Sequence, residues 1–286
     1  MTDWLFDPWR YAFFRHGLMA AIIAGSLCGG IGSFVILRRM SYIGHGLSHA
    51  IFGGAVVGYL IGGNFYLIGG AWGAVAALII DLIGRTKKVG TDAAIGIVTT
   101  ASFAIGVALI SRGQHFTRNF EAALFGDILG VTKTDLAVLA GVSAAVGLAI
   151  FLFYKRLVFI TFDPDVADTY GIDSTRVEIV FSLCLAATIV ATMRILGVTL
   201  IAATIVTPAV VARLSTNSFA KMLLRSVLIG GLTGAIGMYA SFYLNIASGA
   251  TITLTATSLF ILMVVKNRFS GPSRRGGLEP LAEIEV

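Results

Sequence analysis

The feature that most constrains this chain is a succession of apolar runs, each close to twenty residues long, separated by short polar or glycine-bearing breaks. The runs are 14–37, 42–61, 64–84, 93–111, 133–153, 175–193, 195–213, 226–245 and 249–266. A hydrocarbon layer about 30 Å thick is crossed by about 20 residues of helix, and within it only a helix or a closed barrel satisfies every backbone group. The runs are continuously apolar, not alternating, so they read as helices. The fold class expected is therefore all-α: a polytopic membrane helical bundle of about nine spans, within a range of eight to ten. Only Gly62 and Gly63 separate the second run from the third, and the sixth meets the seventh at Arg194. Residues 1–268 read as one transmembrane domain, and the polar, aperiodic stretch 269–286 as a disordered cytoplasmic tail.

Composition excludes the ordinary soluble alternatives. Charged residues make up 13% of the chain and apolar ones 57%, against roughly 25% charged in a soluble domain. The net charge of +6 does not point to nucleic acid, because the basic residues fall in short groups between apolar runs. Arg38 and Arg39, then Arg85, Lys87 and Lys88, then Lys155 and Arg156 follow alternate runs. Arg213, Lys221, Arg225, Lys266, Arg268, Arg274 and Arg275 continue the pattern. With nine spans and the N-terminus outside, roughly fifteen basic residues face the cytoplasm, as the positive-inside rule prefers. The C-terminus is then cytoplasmic. The opening MTDWLFDPWRYAFFRHG has no basic region followed by a cleavage site, so no removable signal is expected. Cys28 and Cys184 lie inside apolar runs and read as packing residues, not as a disulfide. Small residues spaced by four, such as Gly25 with Gly29 and Gly230 with Gly234, fit close helix crossings.

The segment RRMSYIGHGLSHA carries the chemistry. His45 and His49 are spaced i, i+4, so on a helix they share one face with Cβ atoms about 5–6 Å apart. That spacing suits two imidazoles on one metal ion, and ionisable groups inside a membrane are costly and usually functional. The bland alternative is a polar pair satisfied by neighbouring helices. Two ligands do not complete a site; water, a third side chain or the same pair from a second copy must supply the rest. Simple hydropathy sets His45 only a few residues above Arg39, near the cytoplasmic side, whereas a transport site belongs nearer the midplane.

Three other segments stand out. Asp163-Pro164-Asp165-Val166-Ala167-Asp168-Thr169-Tyr170-Gly171 reads as a very short helix in a cytoplasmic loop. Asp163 is its N-cap, Pro164 its first residue, Asp165 supports its dipole and Gly171 ends it. Val166 and Tyr170 give it a small apolar patch, and a helix of two turns needs something to lie against. In the seventh run, Pro208 frees a carbonyl one turn earlier. Thr204 is the expected remedy, and Thr204, Thr207 and Pro208 are candidates for a hinge or gate. Phe125, Gly126 and Asp127 lie between the fourth and fifth runs, where a re-entrant or interfacial helix near the pathway entrance competes with Asp127 simply capping a turn. No phosphate-binding GxxxxGK[ST] loop is present, nor HExxH or GxSxG. An enzyme is not expected, and ATP hydrolysis would need another chain.

Taken in order, LRRMSYIGHGLSHAIFGG, LFGDILGVTKTDL, FDPDVADTYGI and LGVTLIAATIVTPAVVAR resemble the permease family of zinc, manganese and iron ABC importers, over nearly the whole chain. The resemblance implies a homodimer or paired permease, two copies of a separate ATP-binding subunit, and an extracytoplasmic protein that delivers the metal. It makes Asp163 to Gly171 the helix that couples to the ATPase, and His49 a metal ligand. The position of His45 is commonly aspartate in that family. Imidazole there moves preference away from manganese, so zinc is the first choice of cargo, ahead of manganese or iron. No permanent cofactor is implied; the divalent ion is cargo. The function expected is alternating-access import across the cell membrane, with the metal passing between two permease copies. Neutral histidines, with an ordinary pKa of about 6.5, would bind it less well in acid. The rivals are a proton-coupled secondary carrier, which would transport without ATP, and a non-transporting membrane scaffold.

Overall fold

A computed structural model describes residues 7–84, 89–112, 124–128 and 130–269. All regular structure among these residues is helical. A short 3₁₀ turn, Asp7–Arg10, precedes α1 (Ala12–Leu37), α2 (Ile43–Leu60), α3 (Phe65–Gly84), α4 (Thr91–Arg112), α5 (Lys133–Phe162), α6 (Pro164–Thr169), α7 (Ser174–Leu196), α8 (Ile201–Ser215), α9 (Phe219–Leu244) and α10 (Ser248–Phe269). Each of the nine expected apolar runs corresponds to one of the long helices, and α6 is the extra short one. Seven are long and apolar enough to cross a membrane; α2, interrupted by its histidines and glycines, and the 15-residue α8 fall short. The tail assigned to 269–286 lies outside the described residues apart from Phe269, which still belongs to α10.

Two boundaries differ from the sequence reading. The fifth helix does not stop near 153 but continues to Phe162, carrying the exposed Lys155 and Arg156 on its surface. Long basic side chains extend their charged ends toward water without ending the helix. The sixth apolar run, α7, continues through Arg194 to Leu196, and α8 begins only at Ile201. The break between them is made by Gly197, whose φ of 80° and ψ of 154° lie in a region that only glycine adopts readily.

α1 and α7 form the middle of the bundle. α1 packs against α9, α8, α5 and α7, while α2, α3 and α4 form a second group leaning on α7, with α2 also touching α8. Lipid chains are as apolar as leucine, so close packing and polar contacts hold such helices together. The α1–α9 crossing illustrates this. A Cβ at Gly25 or Gly230 would fall on the carbonyl of the other, and the Ser226 hydroxyl donates to the Gly29 carbonyl at 2.6 Å. The small-residue spacing read from the sequence is the seam of this crossing. Terminal groups are satisfied locally: Thr132 and Asp135 form a reciprocal capping box at the start of α5, and Asp173 accepts from the Arg176 amide at the start of α7.

Candidate metal centre

His45 and His49 occupy the first turns of α2, one above the other, with ring centroids 4.5 Å apart and planes at 68°. Two Zn–N bonds of about 2.0–2.1 Å at a tetrahedral angle set donor nitrogens roughly 3.3 Å apart. Rings at this spacing reach that by side-chain rotation. His49 is half-buried against the edge of Phe103 in α4, 5.2 Å between centroids, whereas His45 is exposed. Among the described residues no cluster of three or more His, Cys, Asp or Glu could hold a metal, so the pair has no third protein ligand of that kind within this chain's described part.

The turn bearing the histidines is clasped on both sides. Gly44 faces Ala202 and Ile205 of α8, and Gly46 faces Ile95 and Thr99 of α4. The fully buried Ser48 hydroxyl lies 2.8 Å from the His45 carbonyl and 3.0 Å from the Val198 carbonyl. Its single hydrogen is shared between the turn and the α7–α8 break. These contacts set the histidine turn beside the first turn of α8. From Ala202, opposite Gly44, to the end of α8 at Ser215 is about 20 Å of helix at 1.5 Å per residue. The histidines therefore sit well inside the bundle. The rise from Arg38 is made by the Arg39–Tyr42 link, where Arg39 has a left-handed φ of 57°.

The segment from Leu124 to Ile128 meets the α7–α8 break backbone to backbone. The Asp127 amide donates to the Arg194 carbonyl at 3.0 Å, and the amide and hydroxyl of Thr199 both donate to the Leu124 carbonyl, at 3.2 and 2.8 Å. Gly126 and Gly197, each with φ of 80°, cross so closely that a Cβ on either would meet the other segment's main chain. Asp127 accepts from the Gly130 amide at 2.8 Å, which caps the turn, and Phe125 is exposed. Beside this crossing, buried Asp135 accepts from Tyr66 and Arg194, both at 2.6 Å.

Pro208 lies buried within α8, which stays continuous past it. The Thr204 hydroxyl donates to the Leu200 carbonyl at 3.1 Å, one turn earlier, and so does not serve the carbonyl that Pro208 frees, which is Thr204's own. Thr207 is partly buried on the same helix.

At the opposite end, α6 has the expected local grammar. Asp163 accepts from the Val166 amide at 3.0 Å, and Gly171 takes a φ of 75°. Ala167 is buried beneath it, while Val166, Tyr170 and the neighbouring Phe162 are exposed, with the Tyr170 ring edge-on to Phe159 at 5.9 Å. Of the other members of this segment, Pro164, Asp165 and Asp168 are described by their backbone alone.

Sequence reading missed two ion pairs, Arg38 with Glu178 and Arg194 with Asp135. Their signal was present as single carboxylates within or at the margin of apolar runs, since such groups take partners on other helices.

The same helices in the same order occur in known proteins. The model of the ABC 3 transport family matches residues 10–267. The manganese transport system membrane protein MntC of Halalkalibacterium halodurans is 38% identical over 252 residues, covering 88% of this chain and 86% of that one. A probable iron transport system membrane protein of Haemophilus influenzae is 30% identical over 262 residues, 92% of this chain and 93% of that one. Among solved structures, PsaBC from Streptococcus pneumoniae in complex with Fab matches with a TM-score of 0.82 and 32% identity, covering 92% of this chain and 94% of that chain. A family match spanning nearly every helix, together with relatives of near-equal length, means that the chain belongs to the ABC 3 transport family and is a membrane permease, not an enzyme.

Proposed function

We propose that the chain is the membrane-spanning subunit of an ATP-driven importer of a divalent first-row transition metal, and that His45 and His49 hold the ion in transit. The observation that carries this reading is the histidine pair: two imidazoles at 4.5 Å, well inside a permease bundle, one of them exposed. An exposed intramembrane imidazole faces either lipid, at high cost, or another protein surface. The face of α4 beside the pair supports a second copy. Ala93, Gly96, Thr100 and Ala104 are exposed there and small enough for a helix to approach closely. A second copy would bring its own pair and raise the ligand count to four nitrogens.

The relatives' names point to manganese and iron. Four neutral imidazoles favour zinc over iron(II), and iron(II) over manganese, on ligand chemistry. Zinc therefore stays first on the side chains of this chain, with manganese and iron(II) as its competitors. α6 is the surface that meets the ATP-binding subunit, two copies of which serve the pair. Its exposed Val166, Tyr170 and Phe162 are apolar side chains at the end that carries Arg38 and Arg39. That end is cytoplasmic, which leaves the N-terminus outside and the C-terminus inside. The extracytoplasmic metal-binding protein docks at the opposite end.

The test is uptake into liposomes by the chain co-purified with its ATPase, supplied with zinc, manganese or iron(II). ATP-dependent uptake that is lost in His49→Ala, and weakens as the medium is made more acid because protons compete with the metal for the imidazoles, is the expected result. Uptake without ATP would favour a secondary carrier, and no uptake of any metal a scaffold.

A further inference from the structure

Arg38 ends α1 and begins the link to α2, seven positions before His45. Its side chain is only 6% exposed, and its contacts reach to both sides of α6. The Nε–H donates to the Thr161 hydroxyl at 3.1 Å, near the end of α5 and two residues before Asp163. Nη1 donates to Glu178 at 2.7 Å, in the second turn of α7. Thr161 is itself held, since its hydroxyl donates to the Leu157 carbonyl at 2.6 Å. The guanidinium carbon lies 4.2 Å from the centre of the Phe181 ring, a further cation–π contact from α7. One buried arginine thus ties together the two helices that flank α6 and the link that positions the histidines.

We propose that Arg38 is the positioning residue through which movement of α6 reaches the histidine turn. This rests on the reading of α6 as the ATPase contact and of the histidines as the cargo site. A buried charge separated from its hydrogen-bonded anion carries a large penalty, and Asp81, the other carboxylate near Arg38, lies on the wall of the same cavity. When the ends of α5 and α7 shift, Arg38 follows Glu178 and draws the Arg39–Tyr42 link with it. Two further observations show room for that shift. Arg38 Nη2 is buried without an acceptor, so the fork is one hydrogen bond short in this conformation. Glu178 also borders a cavity of about 280 Å³, lined with Met40 and Ile43 of the α2 side and with Ile160, Ser174 and Ser182 of the α5 and α7 sides. A rotation of Glu178 that brought its second oxygen to Nη2 would complete a bidentate pair, the stronger geometry for this couple. The cavity gives the carboxylate and the link space to rearrange together.

The experiment compares metal taken up per ATP hydrolysed, using the permease–ATPase complex in liposomes with the delivering protein outside. Wild type, Glu178→Gln, Thr161→Val and His49→Ala are run side by side. Glu178→Gln keeps the size and one hydrogen-bond acceptor but removes the charge. It is expected to assemble, to hydrolyse ATP in the absence of metal at the wild-type rate, and to lower uptake per ATP by at least about tenfold, the scale of one lost charge-assisted hydrogen bond. Thr161→Val removes the second arm together with the Thr161–Leu157 bond, and is expected to lower the ratio by up to about tenfold, since the donor it loses is charged. If Glu178→Gln does not fold, Thr161→Val carries the test. Uptake and hydrolysis that fall together with the amount of folded complex, leaving the ratio unchanged, would overturn the proposal and make the pair a structural one. An unchanged ratio at full activity overturns it as well. Wild-type uptake that ignores ATP, or an unimpaired His49→Ala, breaks the underlying reading instead.

Discussion

The two ends of α7 are anchored by ion pairs built in opposite ways. At the Leu196 end, Asp135 has a side chain only 4% exposed, and its carboxylate is saturated by Tyr66, Arg194, the Thr132 amide and the Thr132 hydroxyl. Its cation, Arg194, is 48% exposed, so its remaining donors are not enclosed by the protein. At the Ser174 end the cation is the buried member: Arg38 is 6% exposed and lacks one acceptor, while Glu178 is 26% exposed and borders open space. A carboxylate with four donors and a half-exposed partner gains nothing by moving. A guanidinium one bond short, beside a cavity, does. The Leu196 end therefore behaves as a fixed support, reinforced by the Gly126–Gly197 crossing, and the Ser174 end as the adjustable one.

The largest effect is expected from breaking the fixed end at Gly197. A side chain there meets both a backbone angle that only glycine tolerates, at about 1–3 kcal/mol, and the main chain at Leu124 and Phe125, which has no rotamer to yield. Gly197→Ala should abolish folded protein or lower the melting temperature of the purified complex by roughly 10 °C. Gly90 isolates the two causes, having φ of 75° but open space around it. Gly90→Ala should show the conformational part alone, a fall of a few degrees in the same thermal assay. If the two substitutions behave alike, the backbone crossing contributes nothing and the Leu196 end is not a fixed support.

What the sequence made legible follows the range of the interactions involved. The nine helices could be read because burial in lipid acts on each run by itself, and α6 because its Asp163 cap and Gly171 terminator act within a few residues. The histidine pair was legible as one face of one helix. Its depth was not, because that depends on how far the Arg39–Tyr42 link rises, which is set by contacts with α8. The end of α5 was misjudged because Lys155 and Arg156 look like a loop when their ability to extend into water is ignored. Gly197 lies in LGVTLIAAT beside other small residues, and nothing local separates a glycine that breaks a helix from one that packs in it. Arg38 with Glu178, and Asp135 with Arg194, join residues 140 and 59 positions apart. Charge alone marked them as unusual but could not pair them.

A smaller effect is expected from Asp135→Asn, which sharpens the contrast between the ends. The amide keeps the size of the carboxylate but loses its charge and half its capacity to accept. Because Arg194 is half-exposed, the loss should be about 1–3 kcal/mol, less than for a fully buried pair. Thermal unfolding should register this as several degrees, while uptake per ATP in the folded fraction stays at the wild-type value. A changed ratio without a change in stability would mean that the Asp135–Arg194 pair moves during transport, contrary to the comparison.

The smallest effect is expected at Pro208, where the proline pattern in the sequence suggested a hinge. α8 remains continuous through Pro208, and the interruption of the run lies upstream, from Gly197 to Leu200. Pro208→Ala would return an amide donor to the Thr204 carbonyl, worth about 1 kcal/mol. It would also remove ring atoms from a buried site, which costs a similar amount. The two contributions oppose each other, so stability should stay within about 1 kcal/mol of wild type and uptake within about twofold. If uptake instead fell tenfold at unchanged stability, α8 would bend at Pro208 during transport. An unchanged uptake leaves α8 a rigid helix that begins at the fixed Gly197–Leu200 link, which lies against Ser48 and so against the histidine turn itself.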